Sequence, residues 1–246
     1  MVDRLFSDRD LAALYDTLCA GRADFAFYLP LVMSARSVLD VGCGTGDLLR
    51  RARAAGHRGR LCGLDPAEAM LEQARRGSDP AAEWILGDLS TTRWDRAFDL
   101  VVMTGHAFQV LLEDDEVRSA CAAVRSALTD EGRFVFETRN PAARAWRTWT
   151  PDHAVEVVDT AGHVVRVAHE ADPYDGGDRV GFTTRYTSPG WDVPRSSRST
   201  LRFLGADEVT SFLAEAGLTV VERFGDWGRE PLTANGPEII TVAARA

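Results

Sequence analysis

The stretch Ser37–Leu49, which reads SVLDVGCGTGDLL, organises the whole sequence. A short β-type run ends at Val41, three glycines follow on alternate positions, and a helical pattern begins with Leu48 and Leu49 on its apolar side. Glycine permits positive φ and lets backbone N–H groups approach a ligand closely. A helix N-terminus adds a positive partial charge. A strand, a glycine turn and a helix in this order predict a nucleotide cradle.

The glycines Gly42, Gly44 and Gly46 have GxGxG spacing, which differs from the GxGxxG of dinucleotide-binding proteins. Asp40 precedes the loop by two residues, at the predicted end of the strand. A carboxylate there suits a ligand that presents a cation and would repel a pyrophosphate. We therefore predict that Asp40 and the three glycines bind a cofactor. The alternative is an ordinary strand–turn–helix that uses glycine for backbone reasons.

Composition limits the function classes. The chain has 246 residues, 45% hydrophobic and 26% charged, and a formal net charge of −9. A general nucleic-acid binder or membrane-surface binder would have a basic face, so neither partner is expected. The four cysteines show neither CxxC nor metal-ligand spacing. With no apolar run of membrane-spanning length and no signal-peptide pattern at the N-terminus, we expect a cytoplasmic protein with free thiols and no metal site.

A second acid, Asp65, follows the short predicted strand 60–64 and lies nineteen residues past Gly46. An acid at this position suits contacts with two ribose hydroxyls; the alternative is a helix N-cap. Pro66 fits the first position of the next helix, and we count it with Asp65 among the cofactor-binding residues. Met70, on that helix, either lies beside an adenine or belongs to the core.

Two further strands are predicted at 83–86 and 98–103, the second nearly continuously apolar, as in a strand buried on both faces. Ligands of such sheets bind outside the carboxyl ends of the strands. We therefore add to the cofactor site the residues that follow these two strands: Gly87, Asp88, Leu89, Thr104 and Gly105. A plain Gly-Asp turn is the alternative for the first group.

The acids and the glycine loop at successive strand ends resemble the class I S-adenosylmethionine-dependent methyltransferases. The likeness covers residues 37–140 in its motifs and 206–246 in topology only. It implies S-adenosyl-L-methionine as cofactor and S-adenosyl-L-homocysteine as product. It also implies that Asp40 and the loop hold the amino-acid end, and that Asp88 accepts a hydrogen bond from the adenine amino group. The nearest layout is that of bacterial small-molecule enzymes, including the amino-sugar N-methyltransferases of antibiotic pathways.

The predicted fold is an α/β, doubly wound, mostly parallel seven-stranded sheet with an antiparallel β insertion after strand 5. Residues 37–150 and 205–246 form the cofactor domain, and 151–204, which alternates apolar with polar residues, forms the insertion on the acceptor side. Two helices over 8–35 make residues 1–36 an N-terminal lid, or else cover one sheet edge. As the resemblance implies, Tyr15 and Tyr28 are candidates to close the cofactor site.

For the reaction we expect displacement at an activated methyl by a nitrogen or oxygen of a small-molecule acceptor, mainly through alignment. His106 is the candidate base because it follows the fourth strand; the alternative is a structural histidine bonded to the backbone. Gln109 is the candidate that orients the acceptor. A hydroxyl acceptor would benefit from a general base more than a neutral amine would.

Two other function classes compete with an enzyme of this kind. A non-catalytic S-adenosylmethionine-binding protein would keep the motif residues but have a blocked acceptor pocket. A nicotinamide oxidoreductase is disfavoured by the GxGxG spacing and by the acid at Asp40. The closing strands and the insertion both offer surfaces for a homodimer, and the oligomeric state is left open.

Overall fold

The computed structural model describes residues 2–76, 82–159 and 161–246. The first residue of the predicted lid, five residues before the third strand and one residue of the insertion therefore lie outside the described residues. None of the predicted site residues is among them. In the part of the chain so described, no helix combines the length and the apolar character that crossing a bilayer requires.

The main sheet has seven strands in the order β10-β11-β5-β4-β1-β2-β3. Five strands run parallel, and β11 pairs antiparallel with both β5 and β10. This confirms the predicted doubly wound, mostly parallel fold with its closing hairpin. The strands are β1 (Ser37–Val41), β2 (Arg60–Asp65), β3 (Ala82–Leu86), β4 (Phe98–Met103), β5 (Leu128–Arg139), β10 (Leu218–Phe224) and β11 (Glu238–Arg245).

Helices cover both faces of this sheet, and their sequence periods explain why. One face is closed largely by α7 and α8, which bury Val117, Val124 and Leu213 against the strands. The other is closed by α4 and α5, which bury Val32 and Leu49. The central β4 is packed from both sides, as its apolar run predicts. The helices are α4 (Phe25–Ser34), α5 (Asp47–Ala54), α6 (Glu68–Arg76), α7 (Asp114–Ala127) and α8 (Ala206–Glu215).

The predicted insertion after the fifth strand is confirmed. It is a four-stranded antiparallel sheet in the order β6-β7-β8-β9, joined to β5 by three short 3₁₀ turns. The strands are β6 (Val155–Val158), β7 (Val164–Ala171), β8 (Arg179–Thr187) and β9 (Arg195–Arg202). One face buries Val165, Val167 and Tyr186 against the N-terminal segment.

The prediction of two helices over 8–35 is wrong in its first half. Three single-turn helices precede α4: α1 (Arg4–Ser7), α2 (Arg9–Ala12) and α3 (Tyr15–Leu18). Asp8 separates the first two, since its backbone is extended and its carboxylate caps α2. This segment packs on the insertion through Leu11 and Leu14 and on α6 through Ala12. Its conformation is therefore set by two long-range contacts rather than by its own period.

The carboxyl ends of β1, β2 and β4 meet at one edge of the sheet, which is where ligands bind in doubly wound folds. Asp40 is the next-to-last residue of β1, Asp65 ends β2 and Thr104 directly follows β4. Pro66 does not occupy the first position of α6, which begins two residues later at Glu68. That prediction was wrong because the carboxylate of Asp65 binds the backbone N–H of Ala67 at 2.8 Å and makes an extra turn before the helix.

Substitution of Gly46 tests how tightly the glycine loop is packed. Its φ is +73°, and a Cβ there would overlap the ring of Trp84 on the edge strand β3. We expect Gly46→Ala to lower the free energy of unfolding by about 2–4 kcal/mol, because left-handed strain and overpacking add. Gly21→Ala is the matched control, since φ is +75° there but the space is open. Urea unfolding checks both variants, and equal losses would mean that strain alone matters.

Candidate active site

A cleft opens beside the glycine loop. Gly42, Gly44 and Gly46 all have positive φ (71°, 55° and 73°), so the chain folds back on itself between β1 and α5. Side chains from three sources face the same space as the loop. They are Tyr15, Asp16, Cys19 and Arg22 from the N-terminal segment, Asp40 from β1, and Thr104 after β4.

Asp40 is the buried acid of the cleft. It is 1% exposed, and its Oδ1 has no hydrogen-bond partner among the described residues. Burial raises the pKa of this carboxyl from 3.8 to about 7, against the opposing effect of the Arg22 guanidinium, while the nearby Asp65 raises it further. A buried, unpaired carboxylate oxygen is costly. Oδ1 of Asp40 can therefore accept a hydrogen bond from a ligand, and a cationic donor would form the strongest one.

Arg22 supplies the opposite charge. Its guanidinium lines the cleft and binds the carboxylate of Asp24, with Nε 3.0 Å from Oδ1. Hydrogen bonding to Asp24 keeps the pKa of Arg22 above its ordinary value in spite of burial. Its terminal nitrogens also lie against Gly105. The cleft thus presents a buried carboxylate and a held guanidinium together, which suits a zwitterionic ligand.

Asp65 joins the second strand to the glycine loop. Its Oδ2 accepts from the N–H of Gly44 at 2.8 Å, and its Oδ1 accepts from Ala67. Burial raises the pKa of this carboxyl, and the two backbone hydrogen bonds lower it. Each oxygen keeps a second lone pair for a ribose hydroxyl. The N-cap alternative is not observed, since α6 begins three residues later at Glu68 and the carboxylate binds N–H groups outside that helix.

The N-terminal segment closes over this edge of the sheet. Tyr15 and Met70 both lie against Gly44. Asp16 accepts from the hydroxyl of Thr45 and binds Arg50 at 2.7 Å. The enclosed space is about 30 Å³, compared with roughly 300–1,000 Å³ in typical ligand sites. Met70 is 1% exposed and packs in a small cluster with this segment.

The predicted adenine-side residues follow β3 and lie outside the enclosed space. Asp88 is exposed, and its carboxylate accepts from the N–H groups of Ser90 and Thr91, which lowers its pKa. Gly87 has φ of 152° and donates its N–H to the carbonyl of Asp65. Leu89 is buried in the core. The Gly-Asp turn, which was the alternative to an adenine contact, is therefore present. Oδ2 of Asp88 takes no part in it and can still accept a hydrogen bond from a ligand.

His106 lies between the cleft and the last strand. Its φ is +63°, unusual for a residue other than glycine, and its N–H donates to Glu137 at 2.7 Å. Its Nε2 lies 2.9 Å from Oε2 of Glu238. Burial, helped by Arg139, lowers the pKa of the imidazole to about 4. His106 is thus neutral at physiological pH, and its ring is held by a carboxylate rather than by the backbone.

Two predicted site residues are corrected. Tyr28 has no exposed surface, and its hydroxyl donates to Glu137 inside the core rather than reaching the cofactor cleft. Gln109 is 1% exposed, and both ends of its amide bond within the chain: Nε2 donates to the carbonyl of Arg202, and Oε1 accepts from Arg139. It joins the insertion to β5 and is buried between them, away from the residues that line the cleft. In both cases a polar side chain satisfies a buried partner instead of a ligand.

Several residues of this edge were not predicted from the sequence. Glu137 carried a signal, because it is a charge that directly follows the apolar run Phe134–Phe136 of β5, and it is 0% exposed. Arg22 and Glu238 carried none, since both reach the site through folding of distant segments. Within the described ranges, no group of three or more metal-ligating side chains comes together.

Comparison with known proteins identifies the domain type. The family of methyltransferase domains matches residues 38–132. The cypemycin N-terminal methyltransferase of a Streptomyces species is 26% identical over 218 residues, 87% of this chain and 84% of that protein. An uncharacterized 37.1 kDa protein in transposon TN4556 of Streptomyces fradiae is 37% identical over 103 residues, 41% of this chain, and the chain spans only 29% of its length.

Two solved structures are similar along nearly the whole chain. DesVI of Streptomyces venezuelae is 25% identical with a TM-score of 0.71, covering 96% of this chain and 99% of that one. CalS10, an amino pentose methyltransferase from Micromonospora echinaspora involved in calicheamicin biosynthesis, was solved with S-adenosylmethionine bound. It is 26% identical with a TM-score of 0.65, covering 91% of this chain and 89% of that one.

The burial of Asp40 predicts an unusual pH dependence. Because its pKa is raised from 3.8 to about 7, the folded chain holds a proton that the unfolded chain releases, and stability falls as pH rises through this window. Asp40→Asn should therefore stabilise the ligand-free protein relative to the parent, by about 1–3 kcal/mol more at pH 8 than at pH 5. Urea unfolding at the two pH values measures this.

The matched control is Asp95→Asn, which changes an exposed carboxylate in the same way. Its effect should be nearly the same at both pH values. If Asp40→Asn showed no more pH dependence than this control, the carboxylate of Asp40 would have a partner that the described contacts do not contain.

Proposed function

We propose that this chain, a class I S-adenosylmethionine-dependent methyltransferase, transfers a methyl group to a nitrogen or oxygen of a small-molecule acceptor. The family and its cofactor, S-adenosylmethionine, were predicted from the glycine loop, and both predictions are confirmed. The acceptor and the roles of individual residues belong to the proposal. When bound, the cofactor supplies a methyl group already activated on a sulfonium.

The unpaired oxygen of buried Asp40 is the observation that carries the proposal. The amino-acid end of the cofactor has an ammonium and a carboxylate. Asp40 would accept from the ammonium, and Arg22, across the same cleft, would bind the carboxylate. Charge-assisted hydrogen bonds of this kind are the strong ones. A nicotinamide dinucleotide would bring its pyrophosphate to the same loop and leave Asp40 without a donor.

The adenosine end would extend along the strand ends from there. Asp65 keeps free lone pairs for the ribose, and Asp88 keeps an open carboxylate oxygen for the adenine amino group. Met70 would pack beside the base. The enclosed space of about 30 Å³ is too small for this ligand, so the N-terminal segment must shift on binding, which supports its predicted role as a lid.

On the acceptor side, His106 is placed two residues after Thr104, which lines the cleft. Its lowered pKa keeps it neutral and able to take a proton. A separate hollow of about 360 Å³ opens between the turns after β5 and strand β7, with Trp146 and Trp149 in its wall. The guanidinium of Arg139 lies 5.5 Å from the Trp149 ring. These features favour a small polar acceptor with a flat or anionic part.

The likeness to an amino pentose methyltransferase favours nitrogen as the acceptor atom. A hydroxyl oxygen is also compatible with the site, because the neutral imidazole of His106 could take its proton. A non-catalytic binder of the cofactor remains the second candidate, and no feature of the site favours it. Transfer of radiolabelled methyl from S-adenosylmethionine to a panel of amino sugars, other amines and phenols tests the proposal. Label in any acceptor supports the enzyme, while binding without transfer to any class supports the alternative.

Arg22→Met should weaken S-adenosylhomocysteine binding about 10–100-fold, the usual effect of losing a hydrogen bond to a charged group. It should leave methylthioadenosine, which lacks the amino-acid end, unaffected. Asp65→Ala should weaken both ligands by about 1–3 kcal/mol, because the ribose is common to them. Calorimetric titration measures all four affinities.

Arg36→Met is the control, since that side chain is 94% exposed and far from the cleft. If Arg22→Met weakened both ligands equally, Arg22 would act on the shape of the whole cleft. If Asp65→Ala left both affinities unchanged, the ribose role of Asp65 would be wrong.

A further inference from the structure

His106 and Glu238 form a pair that no local sequence pattern predicts. They are 132 residues apart, and the Nε2 of the histidine lies 2.9 Å from Oε2 of the glutamate. The two side chains are 17% and 12% exposed. Glu238 is the first residue of β11, so the last strand of the fold contributes a carboxylate to the loop after β4. The contact is thus largely shielded from water and costly to leave half-made.

A second carboxylate, that of Glu137, holds the backbone of His106. The left-handed backbone of His106 is strained for a residue with a side chain, and the N–H bond to Glu137 at 2.7 Å stabilises it. Glu137 belongs to β5, which pairs with β11 in a register that puts Arg139 opposite Glu238. The backbone and the ring of His106 are therefore fixed by two carboxylates on adjacent strands.

The protonation state of Glu238 decides which ring nitrogen of His106 carries the proton. In a neutral imidazole one nitrogen donates and the other accepts. An ionised carboxylate can only accept, so Nε2 carries the proton and Nδ1 keeps its lone pair. A protonated Glu238 donates to Nε2 instead, and the ring proton moves to Nδ1. Among the described residues, Nδ1 has no hydrogen-bond partner.

We propose that Glu238 is a positioning residue that selects the His106 tautomer in which Nδ1 accepts a proton from the methyl acceptor. This inference rests on the proposed function. As the acceptor atom forms its bond to the methyl carbon with its own electron pair, the C–S electron pair stays on sulfur. The acceptor's proton passes to Nδ1, and the ionised carboxylate of Glu238 stabilises the imidazolium so formed.

Burial and the charges around the pair indicate that near pH 7 it is Glu238, not His106, that changes its protonation state. Burial raises the pKa of Glu238 to about 7, with Arg139 opposing, and lowers that of His106 to about 4. The imidazole of the free enzyme thus stays neutral between these values, while the carboxyl changes state near pH 7. The charged groups that face the pair are Arg22, Asp24, Glu137 and Arg139.

Nitrogen NMR of the full chain labelled at histidine tests this without an acceptor. The signals of His106 are assigned by their loss in His106→Gln. In the parent protein we expect Nδ1 to change from protonated to unprotonated with a midpoint of about pH 7. Glu238→Gln and Glu238→Leu should abolish that transition. Glu222→Gln, an exposed carboxylate on the neighbouring strand β10, should preserve it.

A single tautomer from pH 5.5 to 8.5 in the parent, or the same transition in both Glu238 variants, would overturn the inference. S-adenosylhomocysteine binding is measured on the same samples. Its absence in the parent would count against the proposed function and leave the tautomer result standing. With an acceptor from the methyl-transfer panel, Glu238→Leu should slow transfer about tenfold or more at pH 8 and little at pH 6. An equal loss at both pH values would assign Glu238 a merely structural role.

Discussion

A buried carboxylate with an unpaired oxygen, that of Asp40, is the constraint around which this fold is arranged. Folding takes this group out of water without giving Oδ1 a donor, so the ligand-free protein carries a cost that a cationic ligand removes. The glycine loop and the guanidinium of Arg22 line the same cleft, and the acid at the end of β2 is close enough to raise the pKa of Asp40. The binding of a cofactor with an amino-acid end and the loss of stability as Asp40 ionises are in this view two results of one placement.

The N-terminal segment connects this cleft to the inserted sheet. It is tied to the glycine loop by Asp16, which binds Thr45 and Arg50, and to the insertion by the ion pair of Asp10 with Arg195 at 2.7 Å. Leu11 and Leu14 pack on the insertion as well. Because one short segment contacts both the glycine loop and the insertion, its displacement by a cofactor would also change the contacts of the insertion, which is the predicted acceptor side.

The sequence predicted the features that depend on the order of strands, turns and helices along the chain. Asp40 and Asp65 were found because parallel strands bring their carboxyl ends to one edge, and a strand end can be read from an apolar run. Tyr28 and Gln109 were misassigned because a buried polar group is satisfied equally well by the chain or by a ligand, and only the packing decides. Glu238 was missed because its contact with His106 depends on the register of the final hairpin, to which no local pattern corresponds.

A crystal structure of the complex with S-adenosylhomocysteine would show directly whether Asp40 and Arg22 bind the amino-acid end of the cofactor. We expect the ligand's ammonium within hydrogen-bond distance of Asp40, its carboxylate bound by Arg22 and its ribose bound by Asp65. The N-terminal segment should be displaced from its present position. A complex in which Asp40 still lacks a donor, or in which the adenosine lies away from the ends of β2 and β3, would contradict this expectation.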